Sequence, residues 1–157
     1  MQREKAPQNV SEYILEEIQV SYTPKLNIKR NRVDTSLLAF EILRLLYRPE
    51  IISLREEFHV LYLNTGNYVL GSYHHSTGGI STVVVDVRHI IAVALKCNAS
   101  ALIISHNHPS GKLNASVQDK LLTKKLNEAC EIFDLALMDH IIVTPSSYFS
   151  FADEGLL

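Results

Sequence analysis

Cysteine is nearly missing from this chain, with only Cys97 and Cys130 among 157 residues. Two thiols cannot build the multi-disulfide framework of a small secreted domain. Neither stands in a Cys-x-x-Cys pair, which excludes the Pro-Cys-x-x-Cys signature of zinc nucleobase deaminases. Both fall inside apolar helical patterns and are expected as buried free thiols. An excess of one charge is missing too: Lys plus Arg is 15 and Asp plus Glu is 17, a formal net charge of −2. The whole molecule therefore has no electrostatic reason to seek DNA or an anionic membrane. Only Lys25, Lys29, Arg30 and Arg32 form a local basic stretch, which reads as a solvated linker face. No apolar run approaches the ~20 residues of a membrane span, and Met1 to Asn9 is too polar for a signal peptide. The expected compartment is the cytoplasm. Repeats and low-complexity segments are absent as well. What remains is an ordinary globular composition, 46% hydrophobic and 20% charged, sufficient for one domain with a buried core.

Periodicity divides that domain into alternating elements. Tyr13 to Tyr22 alternates like a strand, and the basic linker follows. Asp34 is placed to cap a helix with Leu37, Leu38, Ile42, Leu45 and Leu46 inward, ending before Pro49. Leu54–Leu63 and Tyr68–Tyr73 read as strands joined in a hairpin by Asn64-Thr65-Gly66-Asn67. Gly78-Gly79 interrupts the pattern. Asp86 caps a second helix with Val87, Ile90, Ile91, Ala94 and Leu95 on one face. The Ala-Leu-Ile-Ile run between Ser100 and Ser105 suits a central strand buried on both sides. A third helix begins at Ser116, with Val117, Leu121, Leu122, Leu126, Ala129 and Phe133 inward. Leu135–Val143 and Tyr148–Phe151 complete the strands. The class is α/β or α+β, a mixed β-sheet flanked by helices. Residues 1–33 form an N-terminal extension with a strand and basic linker, and 34–157 the domain.

The chemistry concentrates in Ser105-His106-Asn107-His108-Pro109-Ser110-Gly111, followed by Ser116-Val117-Gln118-Asp119. His106 and His108 stand two apart at a strand end, so their imidazoles share a side, as two nitrogen ligands of one metal must. Asp119, in the first turn of the next helix, can return a carboxylate to the same point. Two imidazoles and one carboxylate leave the fourth tetrahedral position open, the pattern of catalytic rather than structural zinc. Ser116 with Asp119 is at the same time a helix capping box, and the two roles are compatible. Zinc hydrolysis also needs a base. Glu56 is in phase with Phe58, Val60 and Tyr62, and Glu57 with His59, Leu61 and Leu63, so parity leaves both open. His74 and His75 read as surface loop histidines beside a possible groove. His140, next to Asp139, reads as structural, with a role behind the metal ligands as the alternative.

His-x-His-Pro, the later Ser-x-x-Asp and an upstream Glu resemble the JAMM motif of the JAB/MPN metalloprotease superfamily. The fuller His-Asn-His-Pro-Ser-Gly resembles RadC-type proteins in particular, as do Asp139-His140-Ile141-Ile142-Val143 and Phe151-Ala152-Asp153-Glu154-Gly155. The resemblance runs from about Leu54 to the C-terminus. It implies a JAB/MPN, cytidine deaminase-like fold with one Zn²⁺ per chain on His106, His108 and Asp119. It implies Ser116 as the oxyanion-stabilising serine and, because the family's Glu stands two before the Phe, Glu56 as the general base. The implied activity is hydrolysis of a peptide or isopeptide bond in a peptide or protein substrate. A non-catalytic metal-binding accessory module in DNA repair or mobile-element biology is the alternative. Two departures stand out. Residues 1–33 leave no room for the family's helix-hairpin-helix region, so strong DNA binding is not expected. Ala115 replaces the usual proline before the motif serine, which should loosen that loop without removing a ligand.

Overall fold

A computed structural model describes residues 21–24, 31–79 and 83–157. Most of the expected first strand, and Lys25, Lys29 and Arg30 of the basic stretch, lie outside the described residues. Eight elements follow: α1 (Ser36–Arg44), β1 (Glu57–Leu63), β2 (Val69–Thr77), α2 (Val87–Lys96), β3 (Ala101–Asn107), α3 (Val117–Ile132), β4 (Ala136–Val143) and β5 (Tyr148–Ser150). The strands make one mixed sheet in the order β2-β1-β3-β4-β5. β1 is antiparallel to β2 and to β3, β4 to β5, and β3 with β4 is the parallel pair. A parallel pair needs a long crossover, and α3 supplies it. The fold is α+β.

Alternation along the strands gives the sheet two apolar faces. On one, Phe58, Val60, Tyr62, Leu102 and Ile104 meet α2 through Ile90 and Ala94 and α3 through Leu126 and Cys130. On the other, Leu61, Leu63, Ile103, Ile141 and Val143 meet α1 through Ala39 and Leu43, with Tyr47 and Ile52 beside them. β3 is buried along its whole length, as its unbroken apolar run requires. Cys97 and Cys130 are buried free thiols. Among the described residues, no helix is long and apolar enough to cross a membrane.

The structure revises several element boundaries and faces. The cap of α1 is Thr35, whose side chain accepts from the Leu38 amide. Asp34 instead pairs with Arg32 at 3.1 Å. Leu37, Leu38 and Leu45 are exposed, because small Ala39 and Leu43 one turn later make the contact with the sheet. On α3 the inward stripe is Thr123, Leu126 and Cys130, while Val117, Leu121 and Phe133 are exposed. A polar threonine does not register as core in a hydrophobic pattern, so periodicity alone places that stripe on a different face. Leu95 of α2 is exposed too. β1 begins at Glu57, with Leu54 exposed in the preceding turns, and β2 continues past Tyr73 to Thr77, so His74 and His75 are strand residues. The hairpin holds where expected: Asn64 Oδ1 accepts from the Gly66 and Tyr68 amides, and Asn67 takes φ 60°.

Candidate metal centre

The carboxyl end of β3, the loop after it and the first turn of α3 meet in a cleft of about 570 Å³ whose walls include Glu56, His106, His108, Ser116 and Asp119. β3 carries His106 to its end, 1% exposed. His108 follows one step beyond the strand, and its ring meets that of His106 with Nε2 to Nε2 at 2.9 Å. Gly111 turns the loop: at φ +74° its amide donates to the His108 carbonyl. A side chain there would be strained.

Asp119 divides its two oxygens. Oδ2 accepts from the Ser116 amide at 2.7 Å while Ser116 Oγ accepts from the Asp119 amide at 3.1 Å, a reciprocal capping box. Oδ1 lies 3.3 Å from His106 Nε2, and Oδ2 3.7 Å from His108 Nε2. The capping box therefore aims the carboxylate.

The tautomers follow from a chain of bonds. A carbonyl oxygen only accepts, so Thr123 Oγ1, 2.6 Å from the Asp119 carbonyl, donates to it. Thr123 Oγ1 then accepts from His140 Nδ1 at 2.6 Å. His140 Nε2 is left as an acceptor and receives the Nδ1 proton of His106 at 2.8 Å. His106 Nε2 is consequently bare. The Lys112 carbonyl, 2.8 Å from His108 Nδ1, fixes that ring the same way. Neutral imidazoles here turn two nitrogen lone pairs at each other across 2.9 Å, beside a carboxylate. That arrangement needs a shared cation: a proton, or a metal ion for which the donor set of two imidazoles and one carboxylate is suited.

Burial and neighbouring charges act on each group in turn. Burial pushes the His106 imidazole down to about 4. The hydrogen bond with Asp119 raises His108 above its ordinary value against the effect of burial. Burial opposes the Asp119 carboxylate, yet His108, His106 and Ser116 together hold its pKa below the usual range. Burial also drives His140 well below its ordinary value, keeping it neutral.

The structure resolves the positions of the two glutamates. Glu56, 7% exposed, puts Oε1 4.0 Å from His106 Nε2. Its backbone is held between Gly78 and Gly79, and burial raises its pKa. Glu57 turns to the opposite face of the sheet, 3.6 Å from Arg55 Nη2 and 3.7 Å from His59 Nε2. His75 accepts from the Asp86 amide at 2.9 Å, and neither it nor His74 lines the cleft. His140 stands directly behind His106, while Asp139 binds Ser150 and backbone amides instead.

Two contributors were not visible in the sequence. Thr123 ends the histidine chain. Asn107, fully buried, faces away from both His106 and His108: Oδ1 accepts from the Glu57 amide, and Nδ2 donates to the Ile52 and Arg55 carbonyls at 2.6 and 2.8 Å. It clamps the segment that carries Glu56. The buried central position between His106 and His108 was the only available signal.

A family model described as a RadC-like JAB domain matches residues 35–156. The chain is 44% identical over 130 residues to a UPF0758 protein of Flavobacterium johnsoniae, covering 82% of this chain and 55% of that protein. It is 46% identical over 100 residues to a UPF0758 protein of Haemophilus ducreyi, covering 64% and 45%. It is 44% identical over 103 residues to the UPF0758 protein YeeS of Escherichia coli, covering 66% and 70%. This chain spans about half the length of the Flavobacterium and Haemophilus proteins.

Proposed function

We propose that this chain, which belongs to the RadC-like JAB domain family, is a zinc-dependent hydrolase of a peptide or isopeptide bond. The observation that carries the reading is the pair of Nε2 atoms 2.9 Å apart, with Asp119 Oδ1 3.3 Å from one of them. His106, His108 and Asp119 would hold the ion. Bound zinc supplies a Lewis acid for the scissile carbonyl and lowers the pKa of water towards ~7.

Glu56 has the place and the basicity of the proton carrier. Burial raises its pKa, so it can take a proton from the attacking water and return it to the leaving amine. Ser116 Oγ already accepts from the Asp119 amide, so its own hydrogen is free to donate to the oxygen that gains negative charge. Val83, Val85, Phe58 and Leu122 give the cleft apolar walls suited to side chains of a peptide substrate.

The test joins elemental analysis of the purified chain to a screen for peptide and isopeptide cleavage. Wild type should carry stoichiometric zinc in the cleft and lose activity with chelator. Glu56→Gln should keep the zinc and lose the hydrolysis, while Glu57→Gln keeps both the cleft zinc and hydrolysis. Activity in Glu56→Gln, or a dead Glu57→Gln, would overturn the assignment of the base. Equal zinc in wild type and His108→Ala would remove the ligand set.

A further inference from the structure

A second group of ligand-type side chains lies on the opposite face of the sheet from the cleft: Glu57, His59 and His74. We propose that it is a second metal site, taking a divalent transition-metal ion of the zinc class and tying edge strand β2 to β1. The inference is independent of the reading of the cleft.

Strand register builds the cluster. Glu57 and His59 stand two apart on β1 and share a face. Phe58 pairs with Ser76, but a bulge follows and His59 pairs with His74 rather than His75. The extra residue, His75, goes to the other face, where it accepts from the Asp86 amide. The bulge thus brings His74 across from His59, the re-aiming for which bulges are retained. The ring centroids of His59 and His74 are 4.8 Å apart. One ligand atom from each of the three residues lies within 4.8 Å of the others, and Glu57 Oε2 is 3.7 Å from His59 Nε2.

The observation that points to a ligand is His59 Nε2. It is buried and has no hydrogen-bond partner, although the side chain is only 7% exposed. A buried polar atom left unpaired is rare and calls for an occupant. The surroundings orient the set and leave His59 Nε2 open. Tyr47 packs edge-on against His59, and its hydroxyl is engaged by Ser105. Thr77 Oγ1 lies 3.0 Å from His74 Nε2. Arg55 approaches Glu57 Oε1, leaving Oε2 towards His59. Two imidazoles with one carboxylate suit zinc and its neighbours, and are a poor match for calcium or magnesium, which prefer all-oxygen shells. His74 is exposed, so the ion has a route in from solvent.

Because β2 is an edge strand among the described residues, a bridge between His59 and His74 would secure it against slippage. The experiment uses the full chain loaded with Zn²⁺ alone, desalted and analysed for metal. His108→Ala should retain one equivalent, and adding His74→Asn should remove it. His74 is exposed, so its replacement leaves the core intact, and circular dichroism verifies the fold. Zn²⁺ should raise the melting temperature of His108→Ala but not of the double variant. In the wild-type background, His74→Asn should lose one of two equivalents while the cleft keeps its metal. A metal content unchanged by His74→Asn in both backgrounds would overturn the proposal. So would a His108→Ala chain that holds no zinc at all.

Discussion

Replacing Thr123 by valine tests the histidine chain behind the cleft. The two side chains have nearly the same shape, so the 2%-exposed site keeps its packing and loses only a hydroxyl. That hydroxyl stands 2.6 Å from the Asp119 carbonyl and 2.6 Å from His140 Nδ1. Without it, the fully buried His140 has two options. It can keep an unpaired Nδ1–H, at about 1–3 kcal/mol. Otherwise its proton moves to Nε2, where it meets the Nδ1 proton of His106 at 2.8 Å and drives that ring to carry its own proton on Nε2. The second outcome covers the Nε2 lone pair turned towards His108 and Asp119. Loss of such an outer partner typically lowers metal affinity about 10–100-fold, which is about 1.4–2.8 kcal/mol. The assay is competition for Zn²⁺ against a chromophoric chelator at neutral pH, with His74→Asn in the background so that only the cleft is read. Thr123→Ser, which restores the hydroxyl, should recover most of the affinity. A Thr123→Val chain unchanged in stability and within about twofold of its parent in zinc affinity would refute the tautomer argument, because the packing is preserved and only the hydrogen bonds have gone.

Three further outcomes follow from the structure and sequence. Asn107→Ala strips partners from two buried backbone groups and one part-buried one and should lower stability by about 2–3 kcal/mol, at about 1 kcal/mol each. Chemical denaturation reads that loss, and hydrolysis should fall with zinc retained because the Glu56 segment loosens. Metal affinity should decline as pH falls through the raised pKa of His108, since zinc must displace its proton, while His106, at about 4, is already bare near neutrality. Below that point the slope should be about tenfold per pH unit, and an affinity flat across the histidine range contradicts it. Duplex DNA binding should be no tighter than about 10⁻⁴ to 10⁻⁶ M at physiological salt. Nanomolar binding lost on neutralising Lys25, Lys29, Arg30 and Arg32 would reverse that expectation.

Local rules were enough for some features of this chain. Polar spacing marked the Asn64–Asn67 turn, Asp86 and Ser116 as helix caps, and the apolar run of β3 as a central strand, because each depends on neighbours within a few residues. The His106, His108 and Asp119 grouping was legible for the same reason: strand alternation and one short loop connect all three. The choice between Glu56 and Glu57 was different. Both parities of β1 are buried, since helices cover both faces of the sheet, so burial alone does not show which face holds the cleft. Pairing of Phe58 with His106 sets Glu56, rather than Glu57, on the histidine side of the sheet. Thr123 and His140 are 17 residues apart and meet only because α3 crosses over to the parallel strand β4. Asn107 finds its partners 50 to 55 residues earlier. The His59–His74 pairing rests on a bulge, which shifts register by one residue and leaves no mark in composition or periodicity. Contacts made through neighbours along the chain were readable in advance; those made through sheet register and crossover existed only once the sheet had closed.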